Sequence, residues 1–125
     1  MALAKELMGA GFSPLQASTI GGSYAAVTAA GSSQAPATDV NASMVVVASA
    51  DGTKGIQLPA VEVGASIWVF NNSASTCPVY PDSGAAIAVV GTGLGTADSA
   101  FSQLTYKTTI YKKVTSTQWL ACTSA

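Results

Sequence analysis

Residues 56–91 read IQLPAVEVGASIWVFNNSASTCPVYPDSGAAIAVVG, and the punctuation of this stretch decides the fold. The run 56–58 ends at Pro59, which cannot donate to a central ladder and so closes a strand. Residues 66–70, SIWVF, are β-branched and aromatic, as a pleated, half-buried strand requires. Asn71, Asn72 and Ser73 follow as a turn, because Asn tolerates a left-handed backbone and bonds its own chain. Residues 78–81, PVYP, form a brief extended piece, and Asp82-Ser83-Gly84 is a second turn. The third apolar run, 86–90, stops at Gly91.

The same grammar extends in both directions. Upstream, 44–48 (MVVVA) is a strand of continuous apolar type, and 23–30 (SYAAVTAA) is a weaker one ahead of a loop at 31–39. Asp51-Gly52 is a strong hairpin signal and predicts that 44–48 pairs with 56–58. Downstream, 106–114 and 118–122 predict an antiparallel pair about a turn at 115–117, with the Lys residues toward solvent and Ile110 and an aromatic toward the core. Seven or eight short strands with no βαβ alternation and no internal repeat predict a mainly β fold, a jelly-roll-like barrel or a β-sandwich.

The first residues differ. Residues 2–8 (ALAKELM) are good helix formers with Leu3 and Leu7 on one face, and Gly9 and Gly11 stop that turn. Ser13-Pro14-Leu15-Gln16 fits a capping box and predicts a second short helix to about residue 20. Two such helices cannot fold alone. The expected organisation is therefore a helical N-terminal arm, 1–22, and a β domain, 23–125.

Composition narrows function by exclusion. Charged residues are 9% of the 125, against about 25% in a typical soluble domain. A chain so poor in charge is expected to be covered by copies of itself or by a larger partner. It has no His, and all five of its basic residues are Lys. That removes the bidentate phosphate clamp, the commonest general base and the commonest metal ligand. A net charge of -1 gives no electrostatic reason to bind nucleic acid. No run reaches the roughly 18 apolar residues of a membrane span, and the N-terminus lacks the apolar core of a signal peptide, so cytoplasmic synthesis is expected. Cys77 and Cys122 are then expected as buried free thiols, a bridge requiring that the ends of two different strands meet.

No residue is assigned a catalytic, cofactor-binding or metal-binding role, and no enzymatic activity is expected. Asp51, Asp82 and Asp98 each fall in or beside a turn, which accounts for them. Ser and Thr are plentiful, but without His there is no conventional triad. The run Gly91-Thr92-Gly93-Leu94-Gly95 lacks the spacing, helix and acidic residue of a phosphate-binding loop. Trp68, Trp119, Tyr80, Tyr106 and Tyr111 could stack on sugars, but aromatics at strand spacing more often serve a core or a subunit interface.

One resemblance bears on function. Gln57-Leu58-Pro59-Ala60, Val63-Gly64-Ala65, Val69-Phe70-Asn71-Asn72 and 78–87 (PVYPDSGAAI), with Trp119 in a closing strand, resemble a pattern common in small virion proteins of tailed bacteriophages. Thr117-Gln118 stands before Trp119 where that pattern has Gly. The resemblance covers about half the chain. It implies a head decoration, or cement, protein on the capsid surface, made in the bacterial host cytoplasm, with the major capsid protein and copies of itself, as a homotrimer, for partners. No cofactor, nucleic acid or membrane is implied. The same pattern also fits a trimeric tail-fibre or receptor-binding domain that recognises host glycans. Leu3, Leu7, Met8, Phe12, Leu15 and Ile20 in the arm are the expected contacts to capsid or neighbouring subunit.

Overall fold

The computed structural model describes residues 10–11, 24–91, 93 and 95–124. The expected helices, and with them Leu3, Leu7, Met8, Phe12, Leu15 and Ile20, lie outside the described residues. Within them the chain is mainly β. It forms β1 (Tyr24–Thr28), β2 (Thr38–Asp39), β3 (Met44–Ser49), β4 (Ile56–Gln57), β5 (Ser66–Asn71), β6 (Cys77–Tyr80), β7 (Ala86–Val89), β8 (Phe101–Gln103), β9 (Thr108–Thr115) and β10 (Gln118–Thr123). A six-stranded sheet has the order β1-β3-β5-β9-β10-β7, and a four-stranded sheet the order β2-β4-β6-β8.

The two sheets share one core. Val45, Val47, Ile67, Val69, Tyr111, Trp119 and Ala121 come from the larger sheet, and Ile56, Cys77 and Val79 from the smaller. Alternation puts these residues in, because successive side chains of a strand point to opposite faces.

The mainly β class is as expected, and of the two expected forms, jelly-roll-like barrel or β-sandwich, two sheets on one core fit the sandwich, though without the antiparallel connectivity of a jelly roll. Five of the eight strand pairings among the described residues are parallel. From β1 to β6 the chain alternates between sheets, so each strand pairs with the strand two places on. The result is three coils, β1–β2, β3–β4 and β5–β6, stacked without helical crossovers. Sequence gives no repeat because the coils differ in length: Tyr24 pairs with Met44, 20 residues on, and Met44 with Trp68, 24 on. The closing hairpin β9–β10 is antiparallel, as expected.

The Asp51-Gly52 hairpin does not form. β4 pairs with β2 and β6 in the other sheet. Asp51 Oδ1 instead accepts the Thr53 N–H, the Thr53 hydroxyl and the Lys54 N–H, a local turn that carries the chain between sheets. Gly55 then meets the preceding coil. Its N–H is shared between the Ala30 and Gly31 carbonyls, and its own carbonyl accepts from Ala30 and Thr38. A Cβ there would stand 2.5 Å from the Pro78 carbonyl oxygen of the next coil, so only glycine fits where three coils converge.

The phase of β9 also differs from expectation. Thr109, Tyr111 and Lys113 are buried, whereas Ile110 and Lys112 face out. Tyr111 fixes this phase: its hydroxyl crosses the core to donate to Gln103 Oε1 at 2.9 Å, and its ring packs edge-on against Phe101.

Candidate functional site

Two places gather chemistry-bearing side chains, one inside the sandwich and one on its surface. The inner one centres on Asp82, which the turn 82–85 presents from the end of β6. The Ala85 N–H closes that turn on the Asp82 carbonyl at 3.0 Å. Asp82 Oδ1 accepts from Lys113 Nζ and from Trp119 Nε1, both at 2.8 Å. The ammonium also lies over the Trp119 ring, 4.9 Å from its centroid. β10 and β9 place these two donors side by side, since Trp119 pairs with Lys113 across the hairpin. The Lys113 side chain is 2% exposed and that of Asp82 16%, so the pair is desolvated and doubly satisfied. A carboxylate oxygen that already holds two donors, one of them a cation, is a lock between turn and hairpin.

The other aspartates are struts. Asp98, at φ 60°, accepts the Gly84 N–H at 2.7 Å and Gln34 Nε2 at 2.9 Å, tying three connections together. Those bonds, the Gly84 one first, hold its carboxyl below the usual range. Asp51 is also held down, at about 2, chiefly by the Lys54 and Thr53 N–H groups. Because the folded value is depressed, what this turn contributes is present above the unfolded value near 3.8 and is lost as pH falls through about 2. A carboxyl titration of the native protein by NMR is expected to show Asp51 as an acid outlier. A midpoint near 4 would mean that the turn does not form.

The thiols do not meet. Both are free, Cys77 buried and Cys122 exposed, the latter against the expectation of two buried thiols. Burial pushes the Cys77 thiol up to about 11. Among the described residues no cluster of three or more His, Cys, Asp or Glu side chains could hold a metal ion. Gly91, Gly93 and Gly95 form a connection, as expected. A side chain at Gly95 would collide with the Ile87 carbonyl of β7, so this connection lies against the sheet edge.

The surface site is the outer face of the six-stranded sheet. Register lines up Tyr24, Met44, Trp68, Ile110 and Cys122 as one row across five strands. The adjoining row is Ala26, Val46, Phe70 and Thr108. Antiparallel sheets with one wet face alternate apolar with polar, and sheets covered on both faces do not. Along these two rows the six-stranded sheet does not alternate. Tyr24, Met44 and Trp68 are 65%, 40% and 42% exposed. Trp68 and Phe70 stack with ring centroids 6.3 Å apart. Beside them a shallow recess is lined by Val46, Phe70, Tyr106 and Thr108. Tyr106 holds a left-handed backbone, φ 55°, that a bulky residue rarely adopts, and stands 68% exposed at the turn into β9.

Comparisons with family models, with curated proteins and with solved structures find no match to this chain. Of the aromatics singled out in the sequence, Trp119 and Tyr111 are core, whereas Trp68 and Tyr106 are surface. The outer face was legible in part: MVVVA and SIWVF are apolar at both parities. The buried lysine had a signal too. Lys112 and Lys113 are consecutive in a strand, so one of them had to point inward.

Proposed function

We propose that this chain is a head decoration protein of a tailed bacteriophage, binding the assembled capsid surface and stabilising it. The observation that carries the reading is the scarcity of charge, eleven residues of 125, which leaves much of the surface to be covered by the shell and by copies of the chain. Such a surface is built for burial against protein, and the resemblance of 57–87 to phage virion proteins names the setting. The mechanism is mass action. A clamp that binds the shell and not its dissociated subunits stabilises the shell by its own binding free energy. In this reading the work is non-enzymatic, the major capsid protein is the partner, and residues 1–22 reach across to it.

The stacked Trp68 and Phe70 with Tyr106 nearby favour one other reading, a tail-fibre or receptor-binding domain that lays a sugar ring on these faces. Copy number in purified virions, relative to the major shell subunit, separates the two. Decoration requires a simple fraction of the shell copy number, up to one per subunit. A handful of copies per particle would move the chain to the tail, and its absence from virions would overturn both.

A further inference from the structure

The six-stranded sheet exposes a face that water should not cover, and its dimensions indicate what does. Aromatic side chains carry about 150–250 Å² each, so the exposed parts of the two apolar rows come to roughly 500–700 Å². That approaches the ~800 Å² that each partner contributes to a standard protein interface. It also exceeds the few hundred Å² that monomers ordinarily leave bare. Tyr, Trp, Phe and Met are the types enriched at interface centres, and acidic residues, which are depleted there, are missing from both rows. Two lysines border the rows: Lys112 sits on the next row with Ser66 and Leu120, and Lys107 lines the recess beside Val46, Phe70 and Thr108.

We infer that this outer face is where a second copy of this chain docks. A sheet face that is apolar across two rows, with its lysines kept to the margins, is its own complement. Two copies related by a two-fold axis lying in the plane of the interface bring row against row and leave the lysines at the rim. The pairing leaves the four-stranded sheet free for other contacts. It also puts Trp68, on the third of five strands in the row, at the interface centre, where hot spots concentrate.

Sedimentation velocity of the full chain over a wide range of concentration tests this. The wild type is expected to self-associate, and Trp68→Lys to weaken association at least about tenfold, the loss typical of a hot-spot residue. Its far-UV spectrum and melting curve should still be those of a folded β protein. Ser102→Lys, on the opposite sheet, is expected to leave association unchanged. Cys122 supplies a second readout. It lies in the first row, so a thiol reagent is expected to label it slowly in the associated wild type and quickly in Trp68→Lys, while buried Cys77 stays unlabelled in both.

A monomeric wild type at every concentration would overturn the inference, as would association indifferent to Trp68→Lys. A monomer that associates only once residues 2–20 are deleted would assign the face to the chain's own N-terminal segment, and would overturn it too. None of these outcomes depends on a virion. An oligomer that never appears in phage particles sinks the decoration reading alone, and a monomer abundant in particles sinks the docking inference alone.

Discussion

Asp82→Ala is expected to destabilise the fold by about 3–5 kcal/mol, the cost of leaving a buried charge without its partner. Lys113, with a side chain 2% exposed, would keep its ammonium over the Trp119 ring and lose its anion, and Trp119 Nε1 would lose its acceptor. The loss is not the worth of the ion pair. Replacing both partners by apolar groups of similar volume is often nearly neutral, because it removes the desolvation of two charges together with their attraction. The double variant Asp82→Leu/Lys113→Met is therefore expected to recover most of the stability. It should stay short of wild type by about 1–3 kcal/mol, the cost of the indole N–H left unpaired. Urea unfolding of the three proteins at one pH reads these differences. An Asp82→Ala midpoint equal to wild type would mean that Lys113 reaches water and that the lock is not formed.

The second large effect is expected at Gln103, which is fully buried on β8 and joins the two sheets by its side chain. Its Nε2 donates to the Val69 and Lys107 carbonyls at 2.8 and 3.0 Å, and its Oε1 accepts the Tyr111 hydroxyl at 2.9 Å. Burial raises the Tyr111 phenol well above its ordinary value, so the hydroxyl keeps its proton and acts as a donor. Gln103→Leu conserves volume but removes the Tyr111 hydroxyl's acceptor and one donor each from the Val69 and Lys107 carbonyls, the latter still holding the Asn71 N–H. At about 1–3 kcal/mol for a fully orphaned group and less for a carbonyl that keeps a donor, a loss near 2–3 kcal/mol is expected. Tyr111→Phe alone should cost about 1 kcal/mol, and in the Gln103→Leu background close to nothing, since the hydroxyl then has no partner. Additive losses in this cycle would show that the two side chains do not communicate.

These two sites mark where sequence reading stopped. The strands β1, β3, β5, β7, β9 and β10 were legible because apolar runs bounded by Gly, Pro and Asn have few other uses. β8 was not, since FSQ is three residues long and turns a glutamine inward. Lys113 was misplaced because charge argues for solvent while parity argues for the core, and Tyr111, two residues earlier on the same face, decides for parity. The pairing of β3 with β4 failed for a different reason. Asp-Gly favours a two-residue hairpin only when the following residues continue the twist, and here Thr53 and Lys54 donate back to Asp51. The outer face could be read as apolar from alternation, but its extent needed the register, which ties Tyr24 to Cys122 across almost 100 residues of chain.

The three stacked coils give the molecule a direction. At β5–β6 the stack is finished: β9 and β8 run antiparallel to the last strands and turn the chain back on itself. At β1–β2 nothing among the paired strands closes it, and β1 ends the larger sheet with an uncharged, proline-free YAAVT whose second edge pairs with no strand among the described residues. Among the described residues the parallel coil can therefore be continued before β1 but not after β5 and β6, whose outer edges β9 and β8 already take. The chain preceding Tyr24 is joined at that first pole, so whatever it does begins beside an edge strand.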